Sequence, residues 1–378
     1  MRLLKSFSSR AAMLSAAAML CLSGCAHKEG VRQAAGGAAA DHNLRVVIFP
    51  VDNMSGGYAP VADIRGEWTK KLTGLGLRIV DDETLEKYMT KYRIRSIGGV
   101  DSVSAKAFRE EAGADAILIT SLEYYSETYP PKIALISRLV STGERPRILW
   151  MESVGLAGDD SPGILDLGLV TDYKTLQGTA LQRLADSLAR WLRDKKNLDD
   201  AGEAERKFRP KLIYNASPIT AETRTSIAVV PLYNESTRKR AGEITQLHFI
   251  RELLNMKNVE AIEPGIVREK MLGIRMIMRE GVSFRDADIL TYVLEADYVL
   301  SGTVFDYQDS QGGGGTPRID FSALMIEKSN RKLVFKSKSY NKGDDRVFFY
   351  DVGRHNNASE MAGKMVRNVV RKMVKGEW

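Results

Sequence analysis

Apolar residues reach this chain in short unbroken runs that end on a proline and a polar turn: VVIFPVDNMS at 46–55 and, far downstream, IAVVPLYNES at 227–236. A continuous apolar run of that length predicts a strand buried on both faces. Beyond each run the spacing changes to threes and fours, with Ile64, Trp68, Leu72 and Leu75 in the first block and Ile244, Leu247, Ile250 and Leu254 in the second. That period predicts an amphipathic helix. A short strand at 77–80 then leads into a helix that Asp81 or Asp82 can cap, and the matching helix downstream opens on Pro264, which a first turn tolerates. The next helix starts at Asp101 or Ser102 in one block and, at capping-box spacing, at Ser283 with Asp286 in the other.

Strands follow at 115–124, 131–140 and 147–154 and again at 297–306, 318–326 and 332–339. Each block closes on a helix: Leu176, Ala180, Leu184, Leu188 and Trp191 share one side of the first, and Met361, Met365, Val369 and Met373 one side of the second. Laid over each other, Pro50 falls on Pro231, Asn53 on Asn234 and Ser55 on Ser236, while GADAILITSLEYY (113–125) falls on EADYVLSGTVFDY (295–307). The chain reads as a tandem duplication. The expected fold is α/β (α+β): two tandem copies of an open mixed sheet covered by helices, in the order β-α-β-α-α-β-β-β-α.

The N-terminus stands outside this pattern. Arg2, Lys5 and Arg10 precede an apolar stretch from Ala11 to Leu22, too short and too rich in Ala and Ser for a membrane span, and it ends on Leu22-Ser23-Gly24-Cys25. This is the pattern of a secretory signal peptide, and the last four residues resemble a bacterial lipobox. The resemblance implies cleavage before Cys25, a diacylglycerated thiol, and an acylated amino group carrying palmitate. Several chains make such an anchor durable where one would not. Ala26 stands where Asp would signal retention, which in lipoproteins of the enterobacterial type implies the outer membrane. The expected organisation is a signal peptide at 1–24, a small and polar tether at 25–43, a first domain at 44–193, a charged and proline-containing linker at 194–224, and a second domain at 225–378.

Removal of the signal leaves 354 of the 378 residues, enough for two ordinary domains, and lowers the net charge from +7 to +4. That surplus is diffuse, and with a periplasmic address it gives no reason to expect nucleic acid. Cys21 leaves with the signal and Cys25 carries lipid, so the mature chain has no thiol for a disulfide, a metal or catalysis. Of the four histidines, His27 and His42 lie in the tether, His355 stands alone, and His248 sits within an apolar helical pattern that predicts packing. Asp81-Asp82, Asp159-Asp160 and Asp344-Asp345 read as caps and turns, and the glycines at 312–315 lack the Lys-Ser/Thr of a phosphate loop. No enzyme activity, cofactor or metal is expected. Tyr124, Tyr125 and Tyr129 at a strand end form a candidate partner-binding rim, with Asn53 and Asn234 either joining it or only closing turns. The basic positions of the last helix, Lys364, Arg367, Arg371, Lys372 and Lys375, predict a solvated face.

The apolar strand ending in Pro and Asn, together with the G-A-D-(apolar) strand, resembles a periplasmic domain family. It is shared by the curli-secretion lipoprotein CsgG, the penicillin-binding-protein activator lipoproteins such as LpoB, and the TolB N-terminal domain. The resemblance implies a lipoprotein that binds envelope proteins or assembles, without catalysis. The curli channel's barrel hairpins are not matched: YSETYPPK (125–132) holds two prolines, 307–318 is glycine-rich, and 155–170 lacks sustained alternation. The expected protein is therefore a non-catalytic protein-binding or envelope-assembly module, lipid-anchored on the periplasmic face of the outer membrane. The alternative is a component of a secretion or transport system, either an oligomeric export assembly or an auxiliary lipoprotein of a lipid transporter. Two similar surfaces on one tether would give such a module bivalent contact, with other envelope proteins or further copies of itself as partners.

Overall fold

The computed structural model describes residues 44–160, 168–195, 205–220, 222–276, 281–310, 315–329, 331–347 and 353–374. The first copy runs β1 (Arg45–Ile48), β2 (Asp52–Asn53), α1 (Val61–Gly74), β3 (Arg78–Ile79), α2 (Asp82–Lys91), α3 (Ser102–Ala112), β4 (Ala116–Ser126), β5 (Lys132–Ser141), β6 (Ile148–Ala157) and α4 (Tyr173–Asp194). After β7 (Leu212–Asn215), the second copy runs β8 (Thr225–Val229), β9 (Tyr233–Asn234), α5 (Ala241–Leu254), β10 (Val259–Ala261), α6 (Pro264–Gly273), α7 (Phe284–Val293), β11 (Tyr298–Gln308), β12 (Arg318–Glu327), β13 (Leu333–Lys342) and α8 (Ala358–Val374). The order expected from periodicity is present in both copies, with a two-residue strand added after each proline.

That addition has a local cause. Pro50 has no N–H to donate, so the ladder between β1 and β4 is interrupted there and resumes as β2, where Asp52 pairs with Ser121 and Asn53 with Leu122. Asp81 caps α2 through the Thr84 N–H at 2.7 Å, Asp101 caps α3 through the Ser104 N–H at 2.7 Å, and Ser283 with Asp286 forms a full capping box on α7.

The first sheet is ordered β3-β1-β4-β5-β6 and the second β10-β8-β11-β12-β13-β7. In each, the strands of the β-α-β crossovers are parallel and the three long strands form an antiparallel meander. Part of the expected linker belongs to the second sheet: β7 pairs with β13, and Phe208, in a 3₁₀ turn over Arg206–Phe208, is fully buried. Leu212 and Tyr214 of β7 point outward while Ile213 packs on the core, a period-2 alternation too short to stand out in so charged a stretch.

The layers stack in one direction. Helices α1 and α4 cover one face of the first sheet, helices α5 and α8 lie between its other face and the second sheet, and the far face of the second sheet is only partly covered by α6 and α7. Burial follows: β5 is buried on both faces from Lys132 to Val140, whereas β12 alternates. Helix α5 is buried almost all round, whereas α1 buries Ile64, Trp68 and Leu72. The two copies therefore share a core cluster in which Phe49, Phe108 and Ile136 of the first copy join Phe249, Met365 and Phe321 of the second. The two similar surfaces expected of a bivalent module are not both available, because the second copy's helices occupy the first copy's sheet.

The last helix differs from its expected solvated face. Lys364 pairs with Glu205 at 2.9 Å and with Glu360 at 3.0 Å, and Arg367 pairs with the buried Glu252 at 3.1 Å. His355, just ahead of α8, lies 3.4 Å from Glu360 in that helix's first turn, while the Lys364–Glu205 pair ties the linker to α8. Burial alone would raise the Glu360 pKa, but His355 and Lys364 hold it at about 2, below its ordinary 4.5. A carboxyl depressed in the folded state adds stability above pH 4.5, and that stability is lost as pH falls through about 2. Glu360→Gln is therefore expected to cost about 1–2 kcal/mol at neutral pH and to flatten the acid limb of a stability–pH curve. Urea unfolding at a series of pH values checks it; an unchanged acid limb would contradict the assignment.

Candidate functional site

The seam between the copies is crossed by ion pairs that come from the strands and helices described above. Arg138 sits in the middle of β5 between the apolar cross-strand neighbours Ile119 and Met151 and is sealed from solvent. It meets Glu263, the N-cap of α6, in a bidentate pair at 3.0 and 2.8 Å, both residues sealed from solvent. The remaining Arg138 Nη2 contact is the Gly98 carbonyl at 2.8 Å, and Glu263 also accepts the Val100 N–H at 3.3 Å. At the start of β5, Lys132 reaches Asp309 at 3.4 Å and the Ser310 carbonyl at 2.7 Å, where burial raises the Asp309 carboxyl. In the other direction, Arg240 forks onto Asp52 at 2.7 and 2.9 Å, and Arg251 bonds Glu152 at 2.9 and 2.6 Å.

Glycines let the backbones close. A Cβ on Gly99 would stand 2.8 Å from the Gly265 nitrogen, and one on Gly265 would overlap the Val100 backbone. Beside this contact a cleft of about 510 Å³ opens between the copies. One wall is the first copy's Asp52, Met54 and the 96–99 loop; the other is the start of α5, with Arg240, Glu243, Gln246 and Leu247, and the outer side of α6, with Arg268, Met271 and Leu272. Most polar side chains here are already engaged: Arg240 with Asp52 and Glu243, and Gln246 with the Val229 carbonyl at 2.7 Å. Arg268 is exposed and has no partner among the described residues.

A second polar cluster lies deeper. Ser359 on α8 bonds Glu123 and stands 3.4 Å from His248 Nε2, which is 3.3 Å from Glu123. The residue types are those of a nucleophilic triad, but all three are sealed from solvent, so no substrate reaches the hydroxyl in this arrangement. The packing expected of His248 is what it does. Among the described residues no group of three or more His, Cys, Asp or Glu is placed to hold a metal, and no helix is long and apolar enough to cross a membrane.

The proposed rim residues are only partly brought together. Tyr125 packs edge-on against Tyr173 with centroids 4.7 Å apart, and Tyr124 lies under the Arg238 guanidinium at 6.0 Å, its hydroxyl pKa pushed up to about 12 chiefly by burial. Tyr129 is exposed, as is Tyr58. Asn53 and Asn234 each close their own turn: Asn53 accepts the Ser55 N–H and donates to Gly57 O, and Asn234 accepts the Ser236 N–H and donates to Arg238 O. Cys25 and the preceding Leu22, Ser23 and Gly24 lie outside the described residues, as do 161–167 of the 155–170 segment, Gly312 to Gly314 and Lys375.

The cleft is not legible in the sequence, because its walls come from positions far apart in the chain. One signal was present: Lys132 and Arg138 are charges inside an apolar run, where buried partners are required.

No family model and no curated protein matches the chain. Solved structures do. A PelC dodecamer from Paraburkholderia phytofirmans matches at 19% identity and TM-score 0.31, over 43% of this chain and 94% of that one. Lipoprotein GNA1162 from Neisseria meningitidis matches at 16% identity and TM-score 0.27, over 38% and 99%. The LpoB C-terminal domain from Salmonella enterica matches at 10% identity and TM-score 0.24, over 32% and 83%.

Proposed function

We propose that this protein is a non-catalytic envelope lipoprotein, held by acylated Cys25 on the periplasmic face of the outer membrane, that serves as a binding or assembly module for other envelope proteins. The observation that carries the reading is the seam: two copies are joined through a common core and buried ion pairs, leaving a composite surface with an open cleft and a sealed Ser-His-Glu cluster. Such a body offers partners a fixed shape, and its Ser359, His248 and Glu123 are closed to substrates.

The ends of the layered stack bear on the alternative of an oligomeric export assembly. Arg65 bonds the Ile48 carbonyl as Gln246 bonds that of Val229, so Gly66 occupies the place of Leu247 and Thr73 that of Leu254. Where α5 is apolar toward the neighbouring sheet, α1 carries small and polar residues toward water. This favours a stack that stops at two copies. The other alternative, an auxiliary lipoprotein of a lipid transporter, is favoured by the apolar walls of the cleft.

Cys25→Ala is expected to release the protein into the soluble periplasmic fraction with its fold unchanged, read by cell fractionation. A variant that stays with the membrane would contradict the anchor. In living cells, crosslinks to a defined envelope protein are expected; their absence across surface positions would contradict the binding role.

A further inference from the structure

We propose that the cleft between the copies binds the acyl chain of a monoanionic amphiphile, with Arg268 holding the head group. This rests on the chemistry of the lining and not on the anchor or on the partner-binding role. The walls are thioether and aliphatic: Met54 and Leu247 are buried at the floor, and Met271, Leu272 and Met276 run along α6 and just past it toward the mouth, where Leu272 is 65% exposed. Methionines adapt to a chain of variable shape, and a volume of about 510 Å³ is that of an ordinary small-ligand site.

The polar inventory decides the class of occupant. Asp52, Arg240, Glu243 and Gln246 are engaged with one another or with backbone, which leaves Arg268 and the Ser96 hydroxyl among the lining side chains. A peptide laid in the cleft would bring an N–H and a C=O per residue that need partners, and each left unmet carries a penalty. An acyl chain brings none, and its head group needs a single cation. Arg268 is that cation: exposed, at the wall, and without a partner among the described residues. Arg240 cannot take the role, because two carboxylates already neutralise it.

The test uses the full mature chain carrying Cys25→Ala, free of detergent, since the anchor and detergent both present acyl chains. The probe is cis-parinarate, a fluorescent long-chain carboxylate, with its methyl ester as the uncharged control and lysophosphatidylglycerol as competitor. Saturable binding of the carboxylate is expected, with Arg268→Gln weakening it about tenfold, as befits a lost charge-assisted bond, while ester binding stays the same. Met271→Trp, which fills the cleft, is expected to abolish binding of both at an unchanged melting temperature. Displacement by lysophosphatidylglycerol would extend the site to phospholipid head groups; its failure would confine it to free carboxylates, and either result keeps the class. No saturable binding by folded protein, equal binding of acid and ester in both wild type and Arg268→Gln, or displacement by an acidic leucine-rich peptide alone would overturn it.

Discussion

Glu263→Ala is expected to destabilise the folded unit by about 3–5 kcal/mol, because it leaves the Arg138 guanidinium buried with a single carbonyl for company. Arg138 is 1% exposed and cannot swing to water from the middle of β5, so desolvation is not recovered. Glu263 is also the N-cap of α6 and accepts the Val100 N–H, so the same substitution loosens the start of α6, which forms a wall of the cleft. The paired substitution Arg138→Met with Glu263→Leu is expected to return most of the loss, since the cost lies in the unmatched charge and not in the absence of the pair. Urea unfolding of the single and double variants checks this. A single variant within about 1 kcal/mol of wild type would mean that water reaches Arg138.

Trp68→Ala is expected to cost a similar 3–5 kcal/mol, through the cavity it leaves between α1 and the first sheet. Trp68 is fully buried and its indole N–H donates to Thr120 Oγ1 at 3.1 Å, with Thr120 in turn 2.9 Å from Ser137. The damage lies in the layer of the first copy farthest from the second. If the copies unfold as one, amide hydrogen exchange should quicken in β11 and β12 as much as in β4 and β5. Faster exchange confined to the first copy would show that the shared core does not couple them.

Much of this architecture is legible in the chain, because a repeat prints its own alignment. The Pro-Asn strand ends, the capping residues Asp81, Asp101 and Ser283, and the methionine stripe of α8 all stand where local rules put them. What local rules could not reach is the packing of copy on copy. The spacing of Ile244, Leu247, Ile250 and Leu254 predicts a helix with an apolar face, and nothing local says that nearly every face of it is covered. Likewise Arg367 and Lys364 read as a solvated face because their partners, Glu252 and Glu205, lie more than a hundred residues away in sequence. The candidate site suffers most from this blindness. Tyrosines at a strand end stand out in a sequence, but the cleft is lined by Met54, Gly99, Leu247 and Arg268, which come together only where the two copies meet.

The shared core is tested most directly by equilibrium urea unfolding followed with two probes at once. Trp68, Trp150 and Trp191 all belong to the first copy, and the remaining tryptophan is Trp378 at the chain end, so fluorescence reports mainly on the first copy while far-ultraviolet circular dichroism reports on both. One core predicts a single transition with the same midpoint by both probes. A two-step circular dichroism curve, with fluorescence following only one of the steps, would contradict it.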